Sequence, residues 1–101
     1  MNDIKKRIGE LLERYAEQYY NECDPGIRRF REKLEEFIPE YIDIIIQILK
    51  DPESNVDQRF GAVHALGWTK KRRTIIPLFA ALFDKHIEVK VAAVSALLGL
   101  D

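Results

Sequence analysis

Trp68 and Thr69 are followed by four consecutive cations, Lys70, Lys71, Arg72 and Arg73. Cations beside an aromatic ring can neutralise phosphates while the ring stacks on a base. The equivalent turn earlier in the chain, Glu35-Glu36-Phe37-Ile38, is acidic. A nucleic-acid track needs cations repeated along one edge, and the net charge here is only −1. The run therefore reads first as a solvated loop or as a patch for an acidic protein partner. Arg28, Arg29, Arg31 and Lys33 form a second basic group. Glu32, Glu35 and Glu36 are interleaved with it, so an ion-paired wet helix face is expected there.

The remaining reactive side chains are scattered. His64 falls at a boundary position of a helix, where a solvent-facing imidazole is expected, and His86 falls in a turn. Neither has a partner at metal-ligand spacing, and a zinc site needs about four good ligands. Cys23 is the one cysteine and lacks a flanking nucleophile motif. It is expected to sit beside a turn as a small, half-buried residue in a reducing compartment. There is no glycine-rich phosphate loop and no His-Glu-x-x-His helix. The carboxylate groups Glu35-Glu36 and Glu10, Glu13 and Glu17 lie on wet helix faces. No catalytic residue, metal, cofactor or small-molecule substrate is assigned, and the chain is not expected to be an enzyme.

All these residues must be positioned by helices. Ile4, Ile8, Leu11, Leu12, Tyr15, Ala16, Tyr19 and Tyr20 form one apolar stripe of helical period. Asp24-Pro25-Gly26 ends that first helix. Ile27, Phe30, Leu34 and Phe37 mark a second helix, and Pro39 is expected to open a third as its first residue. The third is apolar round most of its circumference, from Tyr41 to Leu49. A strand over 42–49 is the rival reading, rejected because every flanking segment is helical. After the turn 51–55, capped by Ser54 or Asn55, a fourth helix runs to Leu66 with Gly67 as its C-terminal cap. Thr74 is expected to cap a fifth helix that ends near Asp84. A sixth runs from about Ile87 to Leu98. The class is all-α, in one domain. No stretch is long and apolar enough for a membrane span, and no leader peptide is evident. With the lone cysteine, this predicts a cytoplasmic protein.

The chain also echoes itself. Arg59-Phe60-Gly61-Ala62-Val63-His64-Ala65-Leu66 returns 31 residues later as Lys90-Val91-Ala92-Ala93-Val94-Ser95-Ala96-Leu97. Self-similarity at that period marks a stacked-helix array, and its small residues let helix axes approach closely. Residues 51–100 resemble HEAT-like repeats, in particular the short kind found in phycobilin-lyase-type HEAT proteins. The family pattern is an acidic turn residue, Val-Arg, spaced alanines, Leu-Gly, then a second helix with an early Pro and Leu. Asp84, Val89-Lys90, Ala93, Ala96 and Leu97 match one copy. Arg59, Ala62, Ala65, Leu66-Gly67, Pro77 and Leu78 match the other.

The resemblance implies an α-α superhelix of about six helices. A capping helix would occupy 1–22, a degenerate repeat 26–50, a repeat 51–84 and a half repeat 85–101. It also implies ion pairs between turn acids and helix cations, Asp84 with Lys90 and Asp51 or Glu53 with Arg59. The function implied is a protein-binding scaffold.

The sixth helix sharpens that function. Only Glu88, Lys90 and Ser95 are clearly polar from Ile87 onward, whereas a terminal repeat needs a polar outer face. Val89, Ala93, Ala96, Leu97 and Leu100, with Trp68 and the turn cations Lys70, Lys71, Arg72 and Arg73, are the candidate partner-binding residues. Two explanations stand: an apolar docking face, or a longer array cut at this point. The favoured function is a small adaptor or inhibitor, an immunity-type protein included, that binds a protein partner or a second copy. Nucleic-acid binding through 70–73 and 28–33 is the alternative.

Overall fold

The computed structural model describes residues 2–20 and 26–99; within 26–38, Glu32 and Glu36 are the side chains it describes. The readings placed on Cys23, Leu100 and the Arg28–Lys33 side chains lie outside the described residues. Five α-helices account for the fold: α1 Asn2–Tyr20, α2 Gly26–Lys50, α3 Val56–Thr69, α4 Ile75–Ala81 and α5 Ile87–Leu98. Among the described residues there is no strand, so the apolar stretch 42–49 is helical.

The middle of the expected α1 stripe is its buried face, whereas Ile4 and Tyr19 are exposed. Ile8, Leu12, Tyr15 and Ala16 enter the core, while Lys6, Arg7, Glu10, Arg14 and Glu17 stay in water. The expected boundary at Pro39 is a bend instead. Two helical segments meet there across a kink, with Tyr41 non-helical at φ −113°, ψ 19°. Proline removes one helical hydrogen bond and crowds the preceding turn, which kinks a helix without having to end it. Among the described residues, α2 therefore spans both the second and the third of the expected helices. Beyond the bend, Ile42, Ile45, Ile48 and Leu49 face the core.

The turn after α2 closes as its residue types demand. Asn55 Oδ1 accepts the Gln58 N–H at 2.8 Å, and Gln58 Oε1 accepts the Asn55 N–H at 3.2 Å, a reciprocal capping box. The Asn55 side-chain amide also donates to Glu13 Oε1 of α1. Asp51 accepts from the Glu53 N–H at 2.9 Å and from Lys5 Nζ at 3.0 Å. Those two donors, the backbone N–H first, hold its carboxyl below the usual 3.8.

α3 is the central helix, packed against α1, α2 and α5. Two glycines set how closely it is approached. A Cβ on Gly61 would lie 2.4 Å from the Leu12 carbonyl oxygen, so α1 crosses here against bare backbone. A Cβ on Gly67 would lie 2.9 Å from Ala96 Cβ on α5. Gly67 is therefore a contact residue inside the helix and not its cap. α3 continues to Thr69 and stops at Lys70, which takes the left-handed conformation at φ 53°.

Two further boundaries differ from expectation. Thr74 is fully buried with helical dihedrals, and its hydroxyl donates to the Lys71 carbonyl at 2.6 Å, so it offers no side-chain cap. The chain enters α4 through a 3-10 turn, Arg72–Thr74. α4 ends at Ala81, and three 3.1 Å i→i−3 bonds carry the chain through Leu82 and Phe83 to Asp84.

Asp84 does not pair with Lys90, which is exposed. Its Oδ2 lies 2.8 Å from Arg59 Nε, and its Oδ1 accepts the His86 N–H at 2.9 Å. Arg59 also donates to the Ser54 carbonyl at 2.6 Å. A planar guanidinium reaches both acceptors at once, which an ammonium on α5 cannot do. Asp51, expected near Arg59, is held by Lys5 instead.

Candidate functional site

α5 is apolar on two opposite sides. Val89, Ala92 and Ala93 point into the core between α3 and α4, so Val89 and Ala93 are packing residues and not surface ones. Ala96 and Leu97 are half-buried against the same core. The outward stripe is Ile87, Val91, Val94 and Leu98, at i, i+4, i+7 and i+11. α4 repeats the pattern: Leu78 and Ala81 are buried, while Ile76 and Phe79, with Phe83 in the turn that follows, face out. These seven outward side chains are each between 48% and 77% exposed. Phe79 and Phe83 meet edge to face at 5.9 Å and cover little of one another.

Sequence reasoning placed the apolar surface on the right helix but on the wrong side of it. The repeat contained the missing signal. Leu98 is the counterpart of Gly67, 31 residues on, and Gly67 is the point where α3 receives α5. The last residue of the outward stripe is thus the counterpart of the α3 residue that meets α5.

The basic turn is on the surface, with Lys70, Lys71, Arg72 and Arg73 all exposed. Arg73 pairs with Asp43 on α2. Trp68 is half-buried and engaged from inside: its ring meets Tyr15 edge-on at 5.1 Å and 85°. Of the four cations, Lys70 shares a cleft with the indole.

Trp68 belongs with a group of rings that includes His64, expected in solvent and found half-buried. His64 lies 4.5 Å from Phe60, 5.0 Å from Tyr19 and 5.5 Å from Tyr15, measured between ring centres. Its Nδ1 is 3.5 Å from the Tyr15 hydroxyl. Spacing of four along α3 (Phe60, His64, Trp68) and along α1 (Tyr15, Tyr19) stacks these rings across the helix crossing. Two clefts open beside them. One, of about 290 Å³, is lined by Tyr19, Phe60 and His64 on one side and Ile87, Glu88, Val91 and Ser95 on the other. The second, of about 260 Å³, continues past His64 to Trp68, Lys70 and Gly99.

Among the described residues, no three His, Cys, Asp or Glu side chains cluster as metal ligands do. No described helix is long and apolar enough to cross a membrane. Comparison of the chain with protein-family models, with curated proteins and with solved structures finds no match.

Proposed function

We propose that this chain is a HEAT-like protein-binding module, an adaptor or inhibitor that docks a partner protein on the outer face of α4 and α5. One observation carries the reading. Seven large apolar side chains stand in water on two short neighbouring helices and the turn between them. An exposed apolar surface of that kind costs solubility unless something covers it. A polar rim around an apolar centre is the usual anatomy of a protein interface, and the four-cation turn leads directly into α4. Support for the HEAT-like assignment comes from the 31-residue echo, whose two copies fall on α3 and α5. The Arg59–Asp84 pair adds to it by joining one copy to the turn that opens the next.

A photo-crosslinking side chain placed at Val94 tests this against the same group placed at Glu10, on the wet face of α1. A specific protein adduct from Val94 alone is expected. Identical adducts at both positions, or none at Val94, sink the proposal. Sedimentation across a concentration series tells a partner from a second copy. The nucleic-acid reading rests on the exposed turn, and it fails if Lys71→Glu with Arg72→Glu leaves low-salt binding unchanged.

A further inference from the structure

The cleft between α1 and α5 borders the outer face, sharing Ile87 and Val91 with it, and its lining has a definite polarity. Its floor is Phe60 and His64 of α3. The Tyr19 ring forms one wall, within 5.1 Å of Phe60 and 5.0 Å of His64, and remains 43% exposed. The opposite wall is α5, with Ile87, Val91 and Ser95. Among the described residues, Glu88 is the charged side chain that lines this cleft, and it is exposed in the first turn of α5. Aromatic faces carry negative potential, and a carboxylate on the rim has the same sign. Anions are disfavoured there, and a neutral apolar group would leave Glu88 unused.

We propose that this cleft receives a cationic side chain, lysine or arginine, free or methylated, from the docked protein. Its apolar stem would lie along Val91 and Ile87, and its charged end would sit between the Tyr19 ring and the Glu88 carboxylate. A long cationic side chain suits both parts, because its methylenes bury readily while its head stays near water. At about 290 Å³ the cleft has room for one such side chain. The proposal rests on the protein-binding reading only in that the cation belongs to a protein. The cleft itself can be probed on the isolated chain.

The probes are Nα-acetyl-Nε-trimethyllysine amide and Nα-acetylarginine amide, with Nα-acetylnorleucine amide as the uncharged control. Binding is followed through the backbone amide resonances of Val91, Ala92 and Ser95. Saturable shifts confined to α5 and the facing part of α3 are expected, with the cations bound at least about threefold tighter than norleucine. Glu88→Gln, an exposed change that leaves the core alone, should weaken the cations about threefold and norleucine not at all. Tyr19→Phe keeps the ring and should retain binding, whereas Tyr19→Leu should lose it. Equal affinity for norleucine, or no change with Glu88→Gln, overturns the proposal, as does the absence of shifts at saturating probe. Adducts from Val94 are scored separately, so failure of the cleft and failure of the outer face are told apart.

Discussion

Single residues carry three of the decisive features, and each can be tested alone. Arg59 and Asp84 form a largely buried ion pair, both near one-tenth exposed, that ties the start of α3 to the turn before α5. Removing one partner strands the other charge in poor solvent, so Asp84→Asn should cost about 2–4 kcal/mol in chemical denaturation. A double-mutant cycle with Arg59→Met should recover part of that loss, since the pair's net value is smaller than the penalty for an orphaned charge. Lys70 is the one described non-glycine residue with positive φ. An L side chain there costs more than glycine does, so Lys70→Gly should stabilise the protein by about 0.5–1 kcal/mol. The sequence makes Asn55 readable as a cap because capping is local chemistry, three residues from donor to acceptor. It misleads at Gly67 because a glycine near a helix end has two uses. Only the position of Ala96 on another helix decides between a cap and a close approach.

At the scale of elements, apolar period is legible and boundaries are less so. The buried middle of the α1 stripe follows from spacing, and the helical character of 42–49 from the helical period of the segments around it. The fate of Pro39 does not, because a proline ends a helix or bends it according to what the flanking turns pack against. The same limit applies to α5. Its sequence is apolar on nearly every side, so pattern cannot say which side meets α3, and Val89 and Ala93 were assigned to the surface when they are core. The α1–α3 crossing gives the sharpest test of an element. At Gly61 a methyl group would lie 2.4 Å from the Leu12 carbonyl oxygen and 2.9 Å from its Cβ, and the nearest atom is backbone that cannot rotate away. Gly61→Ala should therefore cost about 1–3 kcal/mol in spite of the better helix propensity of alanine. A neutral or stabilising result would mean that α1 sits farther from α3 than the crossing described above. At Gly9 the nearest contact is the tip of the Gln58 side chain at 3.2 Å, which can swing aside, so Gly9→Ala should be far milder.

Over the whole molecule, charge and apolar surface are distributed unequally between the two ends of the stack. α1 presents Lys6, Arg7, Glu10, Arg14 and Glu17 to water and is tied down by polar contacts from Lys5 to Asp51 and from Glu13 to Asn55. Asp51 has a folded pKa below its ordinary 3.8, so its contribution is complete above that value and is lost as pH falls through the folded pKa. Asp51→Asn should accordingly lower the neutral plateau slightly, leave stability below the folded pKa unchanged, and so flatten the acid limb of a stability-against-pH curve. Around α4 and α5 the charges, among them Arg72, Arg73, Lys85, Glu88 and Lys90, border an apolar surface. Ile87, Val91, Val94 and Leu98 follow α5 for its length, about 16 Å at a helical rise, and Phe79 lies on the neighbouring α4 with Phe83 in the turn after it. Because those side chains are already in water, replacing them should barely affect folding. Val94→Lys with Leu98→Lys also places cations near the C-terminal end of α5, where the helix dipole favours them. The double variant should keep its denaturation midpoint, with a stability change within about 0.5 kcal/mol, and lose any association that depends on concentration or partner. A large loss of stability would place these residues in the core after all. Unchanged folding with unchanged association would remove the outer face from consideration as the docking surface.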